Sequence, residues 1–530
     1  MHFKKLLDWR KALIYTHRWT GILFGLLFLS WFVSGIAFMY WGMPSLSAKE
    51  RMDHQKPVDL STATVAPAEA ARAHGLKATS LRIEMRGDRP VYRIGGESIF
   101  ADTGEFINTL PVDAEGAVQV VREWVPDKAV GVRYDARLED SDQWTLQNAQ
   151  RNQMPLHRIA VGDSEGTYYY VAERTGALVM KTTRVTRFKG FLSGVLHWVY
   201  FTPLRRHSEA WNQFIIWGSF AGAFMCLAGL AIGVWRLSPA GRFRQKGQSS
   251  HSPYMGLMRW HHYAGLVFGL LSFTWVMSGA FSVNPFGMFS RERGGEGRGQ
   301  RQAVTGGPLN FKPVTVEALQ AGLAAIRGHF EPKEIEVQQF RGDVYMTANR
   351  PPLNEARGRD EGADYRMVWL ARPEKGTFTK FDDAAMERIA DEIVGDTPVE
   401  DRMWLTEYDN YYRSREGTRP LPVLRVRLLD ESATWLYLDP HRGSVSQETR
   451  SSRSRRWLYA ALHEFDWPLL YNNRPLWDIT VIVLSIGGVV LSASTLWPSA
   501  KRIYRHARRL ALWRPRAGRN RETVTEFRVE

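Results

Sequence analysis

The sequence predicts a membrane protein of mixed α+β class: a four-transmembrane-helix bundle made from a tandem repeat, with two extracytoplasmic α+β domains. Three observations lead there. Four stretches, approximately Ile14 to Trp41, Trp211 to Trp235, His262 to Val283 and Trp477 to Trp497, stay apolar over the about 20 residues that a bilayer core requires. The long polar regions between them carry strand–turn–strand patterns. The whole arrangement is written twice.

The bulk figures agree with this division. A chain of 530 residues exceeds one ordinary core, and its mean hydropathy of −0.31 averages intensely apolar stretches with long polar ones. The formal net charge of +15 is compatible with nucleic-acid binding until the cations are located. Lys4, Lys5, Arg10 and Lys11 precede the first apolar stretch, and Arg236, Arg242, Arg244 and Lys246 follow the second. Lys501, Arg502, Arg505, Arg508 and Arg509 follow the last. Short basic flanks of this kind mark the cytoplasmic side of a membrane protein. The expected partner is therefore a lipid bilayer, not nucleic acid, with both termini and the 236–259 loop cytoplasmic.

The expected order along the chain is a cytoplasmic segment and first span (1–43), a first outer domain (44–186), then an interfacial helix and second span (187–236). A cytoplasmic loop (237–258), a third span (259–285) and a second outer domain (286–453) follow. An interfacial helix with the fourth span (454–498) and a basic cytoplasmic tail (499–530) complete it. The stretch SLSA at 45–48 loosely resembles a signal-peptide cleavage site, but the first apolar core is longer than a usual signal region. It also has an internal near-copy, so it reads as a retained span. Cys226, the only cysteine, lies inside an apolar stretch. That excludes an intramolecular disulfide, a zinc ribbon, a thiolate-held iron–sulfur cluster and CxxCH haem attachment, and leaves a small buried core residue.

Within the outer regions, VYRIGGESIFADTGEFIN reads as a strand, a turn at Asp102-Thr103-Gly104 and a return strand. TYYYVAERTGALVM repeats the pattern around Arg174-Thr175-Gly176, as do YRMVWLARPEKGTFTKF and TWLYLDPHRGSVSQ in the second region. Alanine-rich stretches at 66–76 and 316–330 read as helices beside these hairpins. The stretch SRERGGEGRGQRQAVTGGP (290–308) reads as a flexible basic linker; it has no preceding strand or following helix to make it a phosphate-binding loop.

The repeat singles out particular residues. HRWTGILFGLLFLSWFVSG (17–35) and HHYAGLVFGLLSFTWVMSG (261–279) share nine of nineteen positions at an offset of 261 − 17 = 244. The shared positions include His17/His261, Gly21/Gly265, Gly25/Gly269, Trp31/Trp275 and Gly35/Gly279. A second alignment, offset by 463 − 197 = 266, pairs FLSGVLHWVYF with WLYAALHEFDW and brings His197 onto His463, Trp211 onto Trp477 and Gly222 onto Gly488. Each half has an even number of spans, so the halves share an orientation and relate by an axis along the membrane normal.

Gly21 and Gly25 lie four and eight positions beyond His17, on one helical face, and Gly265 and Gly269 repeat this beyond His261. An imidazole above two residues without side chains makes a flat, shallow wall, which suits a porphyrin whose iron the imidazole reaches. The alternative is ordinary: GxxxG packs membrane helices, and a histidine near a helix end faces water. Arg18 stands at the repeat position of His262, so His261 is the preferred residue of that adjacent pair. His197 and His463 precede the second span of each half, near the outer face, where an ionisable group is a functional candidate. Depth pairs His17 with His261 and His197 with His463. His157 is expected to be a surface or core histidine, since its repeat position holds Leu424, and Asp102, Glu105 and Asp439 belong to turns. WLTEYDNYYRSR (404–415) gathers aromatics and arginines that could hold an aromatic, anionic ligand, but it is expected to be interfacial or core.

With the span openings HRWTG and HHYAG, the LH…W approach to each second span and the glycine-turned hairpins, the chain resembles the PepSY-associated transmembrane family. The resemblance covers essentially the whole chain except the tail after about residue 510. It implies PepSY-like outer domains, a multi-pass protein of the bacterial inner membrane with large periplasmic domains, and a link to iron uptake. Some members are di-haem b reductases that release iron from ferric siderophores. His17, His197, His261 and His463 are thereby candidate axial ligands of haem b, two groups as the resemblance implies, with a ferric siderophore as substrate. The long outer domains depart from compact members and leave the substrate's identity open. No dinucleotide fingerprint is present, so the electron donor is expected to be a quinol or a separate reductase. The rival expectations are a non-enzymatic membrane-anchored module that binds or regulates a partner, and a siderophore or iron permease component.

Overall fold

Four helices long and apolar enough to cross a membrane occur among the described residues: Trp9–Tyr40, Ser208–Arg236, Leu257–Ser282 and Arg474–Arg509. They coincide with the four expected spans and point to a multi-pass protein in a lipid bilayer. Leu23, Leu26, Val267 and Leu270 remain exposed along them, an apolar surface suited to lipid. The structure, a computed structural model, describes residues 9–77, 79–107, 111–289, 296–350, 364–414 and 419–512. The expected flank residues Lys4 and Lys5 lie outside these, as do residues 290–295 of the linker, Arg415 of the aromatic stretch and the tail beyond 512.

The chain forms two units. The first, helical unit comprises residues up to Ile36, Trp217–Met277 and residues from Ile479. Its core gathers Phe28, Phe32, Ala223, Met225, Cys226 and Val276. Small residues let the helices approach: a methyl group at Gly222 would lie 3.1 Å from Phe28, and one at Gly488 or Gly487 would collide with the rings of Phe32 or Phe268. These three glycines are packing residues.

The second unit comprises Ala37–Ile216 and Ser278–Asp478. In chain order the strands of the molecule are β1 (Leu81–Arg86), β2 (Arg89–Ile94), β3 (Glu97–Phe100), β4 (Arg133–Leu138), β5 (Leu156–Ala160), β6 (Tyr168–Ala172) and β7 (Leu178–Thr182). A small hairpin of β8 (Phe243–Gln245) and β9 (Gln248–Ser250) belongs to the helical unit. Then follow β10 (Glu334–Phe340), β11 (Asp343–Asn349), β12 (Tyr365–Trp369), β13 (Val399–Leu405), β14 (Val423–Leu428), β15 (Trp435–Asp439) and β16 (Ser444–Glu448).

Two outer domains were expected, one in each inter-span region; one sheet of the structure draws strands from both. A six-stranded sheet runs β12-β11-β10-β1-β2-β3, so strands from both inter-span regions share one ladder. The joint is antiparallel, with Ile83 opposite Ile335 and Leu81 opposite Val337. Each region by itself would end in an edge strand with unpaired N–H and C=O groups, and pairing β1 with β10 removes both edges. The two strands hold equal places in the repeat, since Arg86-Gly87-Asp88 turns β1 into β2 and Arg341-Gly342-Asp343 turns β10 into β11. Antiparallel pairing of equivalent strands is the contact a two-fold axis makes between copies.

Each half also owns a four-stranded sheet, β4-β5-β6-β7 and β13-β14-β15-β16. The same triad, built on a buried tyrosine, ties each one. Tyr170 Oη donates to Asp142 at 2.9 Å and Arg158 donates to it at 3.1 Å; Tyr437 Oη donates to Asp409 at 2.8 Å and Arg425 at 3.2 Å. All three members shift by 267 residues. Both helices that follow, Arg184–Gly190 and Arg450–Arg455, begin with a capping box, Thr183/Thr186 and Thr449/Ser452.

Several local expectations change. Glu296–Thr305, read as linker, is a helix. Its Ala303 and Val304 enter the core beside Phe340 and Ile389, and that burial outweighs the low helix propensity of its glycines. The expected turn at Asp102-Thr103-Gly104 exists, but its return is a single bridge, Ile99 to Phe106, and β2 turns into β3 earlier, at Gly95-Gly96. The alanine-rich stretches do form helices, Pro67–Ala73 and Val316–Arg327.

Candidate functional site

In the helical unit, His17 and His261 face each other with ring centres 6.3 Å apart and planes inclined at 32°. His17 Nδ1 lies 3.0 Å from the Met225 carbonyl oxygen, and His261 Nδ1 lies 3.1 Å from that of Leu491. A carbonyl only accepts, so each Nδ1 carries the proton and each Nε2 keeps its lone pair, the form in which imidazole binds a metal. The acceptors are themselves repeat mates, since 225 + 266 = 491. Gly229, one turn beyond Met225, makes the first of these bonds possible: a side chain there would collide with the His17 ring. His262 is engaged at both nitrogens, donating from Nε2 to Gly233 O at 2.8 Å and accepting from Ser252 Oγ at 2.8 Å. It has no lone pair to offer.

The pair lines a cavity of about 640 Å³ together with Gly21, Gly25, Gly265 and Gly269. That volume falls in the range of about 300–1,000 Å³ typical of cofactor sites. The four glycines differ from the packing glycines. A methyl added at Gly21, Gly25, Gly265 or Gly269 would meet nothing closer than 3.9, 3.5, 3.7 and 3.4 Å respectively. Helix approach does not require them to be glycine; the open wall of the cavity does.

In the second unit, His197 and His463 face each other with ring centres 6.0 Å apart. Phe38 stacks on His197 at 5.7 Å and Tyr459 on His463 at 5.4 Å. Ser278 Oγ is 3.2 Å from His463 Nδ1, and a methyl on Gly279 would sit 3.4 Å from the same ring. Both histidines follow a stretch of π-helix, Phe191–Val195 and Arg456–Ala461. Both are followed two residues later by a left-handed non-glycine residue, Val199 with φ 55° and Phe465 with φ 52°. The intervening carbonyl is capped each time by the next span's indole: Trp211 Nε1 donates to Trp198 O at 2.9 Å, and Trp477 Nε1 to Glu464 O at 2.7 Å. Wide helical turns and strained residues of this kind gather at functional sites.

Two imidazoles that bind one metal from opposite sides, each at about 2 Å with about 1 Å more to its ring centre, stand about 6 Å apart centre to centre. Both pairs fit that spacing. Among the described residues no group of three or more His, Cys, Asp or Glu side chains is placed to hold a bare metal ion.

The remaining candidates have structural surroundings. His157 is buried, donating from Nε2 to Val112 O at 2.8 Å with Tyr134 Oη 3.2 Å from Nδ1. Asp102 makes a two-pronged bond with Arg89. Asp439 is buried and accepts from the His441 N–H at 2.8 Å; burial holds its carboxyl above the usual range. Tyr412 and Tyr437 stack in the core, Tyr411 packs edge-on against Trp435, and Arg413 pairs with Asp466. Sequence reasoning missed the Met225 and Leu491 carbonyls, Gly229, Phe38 and Tyr459. The 266-residue offset that aligned the histidines also aligns the two carbonyls. No family model matches the chain, and no curated protein matches it.

Proposed function

We propose that this chain is a haem b membrane oxidoreductase that reduces a ferric chelate, as its resemblance to the PepSY-associated transmembrane family implies. The observation that carries the reading is the meeting of four repeat-related histidines in two facing pairs, 6.3 and 6.0 Å apart. These histidines would hold a haem, which would supply one-electron chemistry at its iron.

The chain's own residues do the rest. The Met225 and Leu491 carbonyls fix the tautomer of His17 and His261 and make each ring more basic, which favours the ferric state. Gly21, Gly25, Gly265 and Gly269 leave a flat wall for a planar ring. Phe38 and Tyr459 hold the His197 and His463 rings in orientation. The reaction in this reading takes electrons from a quinol or a separate reductase on the cytoplasmic side. It delivers them to a ferric siderophore on the periplasmic side of a bacterial inner membrane. Ferrous iron is held less tightly by hard oxygen donors, so reduction releases it.

A reduced-minus-oxidised spectrum of the purified protein, with the haem-to-protein ratio, tests this. A b-type spectrum that weakens in His17→Ala and His463→Ala supports the reading; folded protein without pigment from haem-replete cells contradicts it.

A further inference from the structure

The cavity beside His17 and His261 is electrically lopsided. Arg18, Lys501, Arg502 and Arg505 line it, and among the described residues no carboxylate does. Lys501 and Arg505 are exposed whereas Phe28 and Ser272 are buried, so the cations gather where the cavity opens. Among the described residues none of the four forms an ion pair. The Arg18 guanidinium lies over the Tyr15 ring at 5.3 Å and the Lys501 ammonium over Trp497 at 4.8 Å, contacts that leave their charge uncompensated. Four cations converge on one opening, and only an anion relieves their mutual repulsion.

Resting on the haem reading, we propose that Arg18, Arg502 and Arg505, with Lys501, bind the two carboxylates of the porphyrin and so fix which edge faces the opening. Haem b is an apolar disc with both negative charges on one edge. The cavity has the matching division, with imidazoles and glycines inside and guanidinium groups at the mouth. Guanidinium forks bind carboxylates through paired, charge-assisted bonds. The same cations also stabilise the reduced, more negative state of the bound group. A lipid phosphate offers related anionic chemistry, and the esterified porphyrin below separates the two.

The test uses full-length protein carrying His463→Ala, which breaks the outer pair, freed of haem and titrated with iron protoporphyrin or its dimethyl ester. The expected result is about tenfold or weaker binding of the ester, with the difference lost in Arg18→Gln/Arg502→Gln/Arg505→Gln. Equal binding of acid and ester overturns the proposal and leaves the haem reading standing, the cations then serving lipid phosphate. Binding of neither porphyrin, in this protein and in the unsubstituted chain, overturns both. In haem-loaded protein, each single Arg→Gln substitution is expected to lower the midpoint potential of the inner site; an unchanged potential in all three also overturns the assignment.

Discussion

A histidine serves as an axial ligand only if one ring nitrogen is bare, and a backbone carbonyl at Nδ1 secures that for His17 and His261. The neighbouring His262 is the internal control. If the proposed haems are bound, His17→Ala or His261→Ala is expected to remove the one held by that pair and leave the other, while His262→Ala leaves the spectrum intact; absorbance per mole of protein checks this. The glycines allow a second test. Gly21→Leu and Gly265→Leu project a side chain into open space and are expected to abolish inner haem binding while the protein still elutes as folded material. Gly488→Leu meets the Phe32 ring and is expected to unfold it. The histidines were legible in the sequence because the chain states them twice. Their carbonyl partners were not, because any residue supplies a carbonyl and only the fold selects Met225 and Leu491. Gly229 left no trace either, since its repeat position is Thr495.

At the scale of elements, the approach to each second span is a π-helical stretch closed by a left-handed residue and an indole cap. Trp211→Phe or Trp477→Phe leaves a carbonyl without its donor, at a cost of about 1 kcal/mol. The expected readout is a lowered thermal midpoint with a perturbed outer-site spectrum. The turn between β5 and β6 makes a pH prediction. Burial pushes the Asp163 carboxyl up, but the Thr167 N–H and hydroxyl and the Lys128 ammonium outweigh it and hold it down at about 2. Its folded value lies below the unfolded value of about 3.9, so its contribution is present above that pH and is lost as pH falls towards 2. Unfolding midpoints between pH 4 and 2 should fall more steeply in the wild type than in Asp163→Asn. The spans were legible from length and apolarity alone. The helix Glu296–Thr305 was not, because its buried apolar residues in that core are Ala303 and Val304, too few to make a period, and their burial depends on distant Phe340 and Ile389.

For the whole molecule, duplication is the organising fact. It recurs in the facing histidines, in the Tyr170-Asp142-Arg158 and Tyr437-Asp409-Arg425 triads, and in the β1–β10 joint. The joint was hidden from sequence reading because strand alternation announces a strand but not its neighbour. Ile83 and Ile335 face each other there, both fully buried. Ile83→Asp places a charge in that core and is expected to cost more than about 3 kcal/mol. Limited proteolysis should then cut both inter-span regions together; cleavage confined to residues near the substitution would contradict a shared sheet.

The haem-to-protein ratio of purified full-length protein, read from the alkaline pyridine spectrum, decides whether the facing histidine pairs hold haem. About two b haems per chain are expected, one for each facing histidine pair, and about one after His17→Ala or His463→Ala. A folded, colourless protein from haem-replete cells, or full haem content in both variants, would contradict it.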